Sequence, residues 1–187
     1  LSDEACTAAS DFDGQIKFRQ IDVRNANEAK KLILEEKPNI LNTNAAISYL
    51  MPLDDPEYES AKRHSWDVNV QGVENYVFPW IRHLKETGSE GALVIPSSVI
   101  VPMTQGGHVR NPEHDWWPFE SVSPYTGTKA AVQAFAGDLM RTFNQSPESK
   151  QLVIAVPQYG CVDTGMLRFE AKTLAPQYTR RTGEAMT

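Results

Sequence analysis

The residues best suited to acid–base chemistry in this sequence are Tyr125 and Lys129. A four-residue step on a helix places their phenol and ammonium groups on the same face, one turn apart. A positive charge beside the phenol favours the phenolate and lowers the pKa of the tyrosine toward neutral pH. Such a phenol can exchange a proton with a carbonyl or alcohol oxygen. Because the same spacing is frequent on helix surfaces, a solvated i,i+4 pair is the alternative.

Further polar or small residues follow the predicted strands. Asp22 follows the first strand, residues 44–46 the second, Ser97 and Ser98 the third, and residues 160–164 the fourth. Ligands of open α/β sheets bind at the carboxyl ends of the strands, so these residues are expected to gather at one edge. There, Ser98 could hydrogen-bond the oxygen that exchanges its proton with the tyrosine and stabilise its charge.

Hydrophobic periodicity predicts the elements that carry these residues. Short apolar runs predict strands, and apolar residues at helical spacing predict helices, the long middle one bent near its centre. Strands that alternate with helices indicate βαβ units around a parallel sheet, so we predict one α/β domain over residues 1–187. The predicted strands are residues 16–21, 39–44, 91–95 and 152–156, and the predicted helices are residues 25–37, 57–85, 124–143 and the tail 165–187.

One predicted helix, residues 57–85, has a continuous apolar face. Its members step by three or four positions, the spacing that lines one side of a helix. This face is expected to be either core or a subunit interface. It consists of Trp66, Val70, Val73, Val77, Trp80 and Leu84.

Charge and composition narrow the class of protein. The formal net charge is −6, from 18 basic and 24 acidic residues, which disfavours nucleic acids and anionic membrane surfaces as partners. No apolar run approaches the ~18 residues that span a bilayer, and the first residues lack the pattern of a signal peptide. The two cysteines, Cys6 and Cys161, form no metal or redox motif, so a cytoplasmic location is expected.

Six segments, in order along the chain, resemble motifs of the short-chain dehydrogenase/reductase family. They include a strand-end Asp, an Asn-Asn-Ala-Gly element, a helical Asn, a Ser after a strand, the Tyr-x-x-x-Lys pair and a Pro-Gly-x-Val-x-Thr element. Ala46 stands where the family has Gly, and Tyr159 where it has Pro. The segments are residues 20–23, 41–46, 67–72, 91–98, 125–129 and 159–164.

The resemblance implies a Rossmann-type doubly wound parallel sheet and an oxidoreductase that uses NAD or NADP. Tyr125 would be the acid/base, Ser98 would bind the substrate oxygen, and Asn69 would position a relay water. Lys129 would lower the pKa of the tyrosine and hold the nicotinamide ribose. A homodimer or homotetramer through helices 57–85 and 124–143 is also implied. The implied cofactor contacts are Asp22, Val23, Asn44, Ala45, Ala46, Tyr125, Lys129, Gly160, Val162 and Thr164.

The sequence departs from the family pattern at both ends. The first βαβ unit, with its glycine-rich phosphate loop and the residue that distinguishes NAD from NADP, has no counterpart, nor does the last strand. We therefore expect these 187 residues to be a shortened part of a longer chain. The alternative is a degenerate member completed by another packing or by a partner chain.

The segment between Ser98 and Tyr125 is longer than the family pattern requires. Trp116 and Trp117 lie within it and are expected either to line a pocket for a bulky apolar substrate or to pin a surface loop. Its histidines lack the context of a metal site, so no metal is expected. Three functions stay open: an NAD(P)-dependent oxidoreductase on a carbonyl or secondary alcohol, a non-redox dehydratase or cyclase, and a catalytically inactive protein that binds no nucleotide.

Overall fold

A parallel sheet of three strands lies at the centre of the computed structural model, which describes residues 16–49, 51–105, 121–122, 124–144, 152–160 and 166. Its strands are β1 (Ile40–Asn42), β3 (Gly91–Val94) and β6 (Leu152–Ala155), in the order β1-β3-β6. Two short pairs flank it: β2 (Met51–Pro52) is antiparallel to β5 (Ser121–Val122), and β4 (Ser97–Ser98) is parallel to β7 (Gln158–Tyr159). The predicted α/β class and parallel sheet are confirmed.

The first helix, α1 (Ala26–Glu36), lies within the predicted residues 25–37. Asn25 caps it, because its side chain accepts a hydrogen bond from the backbone N–H of Glu28 at 3.2 Å. Lys37 takes a left-handed conformation at φ 46° and ends the helix just before Pro38.

The segment before this helix corrects the predicted strand at residues 16–21, which has no regular secondary structure. Within the described part of the chain, no strand pairs with it. The charged residues of its alternating pattern contact α1 instead, since Lys17 and Arg19 each form an ion pair with Glu36 at 3.6 Å. Its apolar members, Ile16 and Phe18, are exposed.

The long helix predicted at residues 57–85 is interrupted where a bend was expected. It consists of α2 (Tyr58–Trp66), a π-helical turn (Asp67–Gln71) and α3 (Gly72–Thr87). The backbone N–H of Gly72 bonds to the carbonyl of Asp67, the five-residue step of a π turn. Such turns occur frequently at functional sites, and this one contains Asn69.

The apolar face of this helix divides between core and surface. Val77 and Trp80 are fully buried and pack with Leu93 of β3. The indole N–H of Trp80 donates to the carbonyl of Pro38 at 2.7 Å, so the ring is satisfied inside the core. Trp66, by contrast, is 42% exposed and does not belong to the core.

Two further helices are described in full, α4 (Ile100–Gln105) and α5 (Pro124–Asn144), the second matching the predicted residues 124–143. Val132 and Ala136 of α5 are buried in the core. In the part of the chain that the structure describes, no helix is long and apolar enough to cross a membrane. The predicted helical tail, residues 165–187, lies outside the described residues except for Met166.

Candidate active site

Tyr125 and Lys129 lie in the first turns of α5, and the burial of the lysine sets this pair apart. Lys129 is only 5% exposed. Its Nζ lies 5.5 Å from the centroid of the Tyr125 ring and donates a hydrogen bond to the carbonyl of Pro96 at 2.7 Å. Burial disfavours the ammonium and lowers the pKa of Lys129 from 10.5 to about 8. The pair is therefore not a solvated surface pair.

A second Tyr-x-x-x-Lys pair in the same chain shows what the solvated arrangement looks like. Tyr58 and Lys62 of α2 have nearly the same geometry, with 5.9 Å between Nζ and the ring centroid. The Lys62 side chain, however, is 40% exposed and forms an ion pair with Glu59 at 2.8 Å. Spacing alone does not distinguish the two pairs, and their environments do.

Ser98 lies in β4, shortly after β3. Its neighbour Ser97 connects this strand to the first turns of α5. Ser98 pairs with Tyr159 in the β4–β7 ladder, and its Oγ accepts a hydrogen bond from the backbone N–H of Ile100 at 3.3 Å. Ser97 is buried, and its Oγ bonds the backbone oxygen of Lys129 at 3.5 Å. The sequence placed Ser97 beside Ser98 after the third predicted strand but gave it no role of its own.

Asn69 lies in the π turn and is 1% exposed. Its Oδ1 accepts from the backbone N–H of Ile47 at 2.8 Å, and its Nδ2 donates to the carbonyl of Ile47 at 2.8 Å. The second amide hydrogen goes to Thr128 Oγ1 at 2.9 Å. The amide thus joins the segment after β1 to α5, beside Lys129. Ile47 and Pro96 contribute backbone atoms, which no side-chain pattern signals.

A pocket of about 130 Å³ lies where the turn after residue 22 meets the end of β1. It brings together three of the predicted cofactor contacts, Val23, Asn44 and Ala45. Gly72 allows α3 to pack closely against Val23, because a Cβ there would lie 2.8 Å from Cγ2 of Val23. Tyr76 also lines the pocket, and burial raises the pKa of its phenol. Neither Gly72 nor Tyr76 was predicted.

Asp22 precedes this pocket and points to Arg24 instead of lining it. Both are exposed, and their side chains form an ion pair with a shortest distance of 2.5 Å. The hydrogen bonds from Arg24 lower the pKa of Asp22 from 3.8 to about 2. The carboxylate is therefore ionised throughout the physiological range.

The remaining predicted site residues lie beside the pocket, directly after β7 or outside the described residues. Ala46 is half-buried next to the pocket residues, and Gly160 is exposed directly after β7. Four others lie outside the described residues: Trp116, Trp117, Val162 and Thr164. Within the described ranges, no group of three His, Cys, Asp or Glu side chains is placed to hold a metal ion.

The architecture around this site has close counterparts among solved structures, although no family model and no curated protein matches the sequence. A short-chain dehydrogenase from Burkholderia cenocepacia J2315, in complex with NADP, has a TM-score of 0.65 at 19% identity; the match covers 84% of this chain and 60% of that one. One from Leptospira borgpetersenii, with bound NAD⁺, has a TM-score of 0.67 at 19% identity, covering 91% and 60%. The chain has the fold of the short-chain dehydrogenases.

The short-chain dehydrogenase fold is also found in a serine dehydrogenase from Escherichia coli, with a TM-score of 0.63 at 17% identity, covering 92% of this chain and 74% of that one. The predicted Rossmann-type architecture is thereby confirmed. The chain spans 60% of the length of the Burkholderia and Leptospira dehydrogenases. At these identities the likeness concerns the fold alone.

Proposed function

We propose that the protein is an NAD(P)-dependent oxidoreductase that transfers a hydride between the nicotinamide and a carbonyl or secondary alcohol. The observation that carries this proposal is the buried Lys129 beside Tyr125. Lysine is almost never fully buried unless it is paired, and buried titratable groups with perturbed pKa values cluster at functional sites. Here the ammonium faces a phenol and one carbonyl, at the carboxyl ends of parallel strands where ligands of such sheets bind. The NAD⁺ and NADP in structural neighbours of the same fold support the proposal.

In the proposed reaction Tyr125 handles the proton. In the reducing direction its phenol gives a proton to the substrate oxygen, and the ammonium of Lys129 stabilises the phenolate that remains. Ser98 donates a hydrogen bond to the same oxygen as negative charge develops there. The nicotinamide, when bound, supplies the hydride that adds to the carbonyl carbon. Oxidation of the alcohol reverses these steps, with the phenolate taking the proton.

The residues of the pocket next to Val23 fit the adenine end of such a cofactor. The pocket is lined by apolar residues and by residues at the end of β1. Gly72 also lines it, and a side chain there would collide with Val23. Asn69 connects the segment after β1 to α5, because it is hydrogen-bonded to both Ile47 and Thr128. The cofactor would therefore extend from Val23, Asn44 and Ala45 to Tyr125 and Lys129. Gly160, Val162 and Thr164 would contact its nicotinamide end.

The proposal extends to the substrate and to the assembly. Trp116 and Trp117 would line a site for a bulky apolar substrate, in a cytoplasmic enzyme. Phe78 of α3 is 50% exposed and packs edge-on against Phe135 of α5, with centroids 5.6 Å apart. The exposed ring of Phe78, resting on the partly buried Phe135, supports a homodimer or homotetramer through helices 57–85 and 124–143.

The catalytic part of the proposal is tested by turnover. The chain is incubated with NADH or NADPH and a panel of aromatic ketones, and with NAD⁺ or NADP⁺ and the corresponding alcohols. Tyr125→Phe should lower kcat by about 10²- to 10⁴-fold, the usual contribution of a general acid. Tyr58→Phe, in the exposed pair, is the matched control and should keep full activity. Equal activities of the two variants would contradict the assignment of Tyr125.

The cofactor part is tested by binding. ADP is the probe, because it represents the adenosine end without the nicotinamide. Gly72→Ala places a methyl against Val23 and should weaken ADP binding, whereas Gly137→Ala, on α5 with open space around it, should not. Failure of the unaltered chain to bind ADP, NAD(H) or NADP(H) would refute the oxidoreductase and favour the cofactor-free alternatives.

A further inference from the structure

A buried series of hydrogen bonds joins the π turn to α5, the helix that carries Tyr125 and Lys129. Asn69 Nδ2 donates to Thr128 Oγ1 at 2.9 Å, and Thr128 Oγ1 donates to the backbone oxygen of Tyr125 at 2.7 Å. Thr128 is fully buried and Asn69 nearly so. The hydroxyl therefore uses its single proton on α5 itself and accepts from the neighbouring element.

The position of Thr128 links these hydrogen bonds to the candidate active site. It lies three residues after Tyr125 and directly before Lys129, so its bond restrains the turn that carries both reactive groups. A hydroxyl that bonds the carbonyl three or four residues back adjusts the local geometry of a helix. Since Lys129 Nζ is separately fixed on Pro96, a shift of the first turn would move the phenol relative to the ammonium.

We propose that Thr128 is a positioning residue whose hydroxyl, held by Asn69, fixes Tyr125 at its working distance from Lys129. The role is distinct from filling space, because a valine of the same shape would fill the same volume without either hydrogen bond. The effect on catalysis rests on the proposed function. The effect on the relative position of phenol and ammonium does not.

The test compares Thr128→Val, which removes the hydroxyl, with Thr128→Ser, which keeps it. The full chain is labelled with ¹³Cζ-tyrosine, and the Tyr125 signal among the six tyrosines is assigned with Tyr125→Phe. The phenol of Tyr125 and the amine of Lys129 lie close enough to titrate as a coupled pair, so the midpoint of the Tyr125 signal depends on the separation between them.

Thr128→Val should shift the Tyr125 midpoint and lower kcat for an aromatic ketone by up to about 10²-fold, with a smaller change in KM. Thr128→Ser should match the unaltered chain in both. A folded Thr128→Val chain with an unchanged midpoint overturns the inference. If Thr128→Val does not fold, Thr128→Ser decides alone: a shifted midpoint there would show that the methyl group positions the tyrosine, which also overturns it.

The two proposals fail in different ways. A chain that binds no nicotinamide nucleotide, but whose Tyr125 midpoint responds to Thr128→Val and not to Thr128→Ser, refutes the oxidoreductase and supports the positioning role. A chain that turns over ketones with an unresponsive midpoint refutes the positioning role alone.

Discussion

Replacing Lys129 by methionine should make the folded chain more stable at pH 7 while abolishing the proposed activity. Lys129 is 5% exposed, and burial lowers its pKa from 10.5 to about 8. Between these two pH values the unfolded chain binds more protons at this lysine than the folded chain does, so raising the pH stabilises the fold. Below pH 8 the ammonium is charged in both states, and the cost of burying it is present in full.

The magnitude follows from the same two values. The difference between 10.5 and about 8 corresponds to about 3 kcal/mol at about 1.4 kcal/mol per pH unit. Methionine loses the hydrogen bond that Nζ donates to Pro96, which contributes about 1 kcal/mol. Lys129→Met should therefore raise the free energy of unfolding by about 2 kcal/mol at pH 7. This gain should shrink as the pH rises through 8 toward 10.5.

The assay is urea unfolding of both chains at a series of pH values from 7 to 10, with the difference between them taken at each pH. Lys62→Met is the control, because its side chain is 40% exposed and such surface changes stay within about 0.5 kcal/mol. A Lys129→Met chain that is less stable at pH 7, or a difference that does not depend on pH, would refute the reasoning.

Three further outcomes can be measured directly. Gly91→Ala should destabilise the fold by about 1–3 kcal/mol in urea unfolding, because its Cβ would lie 2.7 Å from the buried ring of Trp80. Gly137→Ala should stabilise it by about 0.5–1 kcal/mol, since this helical position has open space around it; a loss of stability would contradict that geometry. Asp22 should titrate near pH 2 by NMR and move toward 3.8 in Arg24→Gln. The stability from this ion pair is present above pH 3.8 and is lost as the pH falls through about 2.

The elements with a strong local pattern were predictable from the sequence. α1 has an Asn cap at its start and a proline just after its end, and both signals act within a few residues. β3 is a continuous apolar run, and its strand is paired on both sides with Leu93 buried in the core. In each case the chemistry that specifies the element lies inside it or within a few residues of its ends, so one sequence is sufficient to find it.

The errors arose where distant residues decide the outcome. Residues 16–21 alternate like a strand, but a strand also needs a neighbour to accept its backbone hydrogen bonds, and in the described residues Glu36 of α1 is the partner of their basic side chains. The π turn at Asp67–Gln71 was expected only as a bend. Its Asn69 bonds the backbone of Ile47, 22 positions away, and a backbone partner leaves no trace in the sequence.

The distribution of buried polar groups gives an argument for function that does not depend on any motif. Six polar side chains are buried among the described residues, and four of them, Asn69, Ser97, Thr128 and Lys129, lie around Tyr125. Burying such groups costs free energy unless each is hydrogen-bonded, and these four are. A core selected for stability alone would hold apolar side chains of similar volume there. Their concentration at the start of α5, in or hydrogen-bonded to the turns that carry Tyr125, supports the role proposed for that tyrosine.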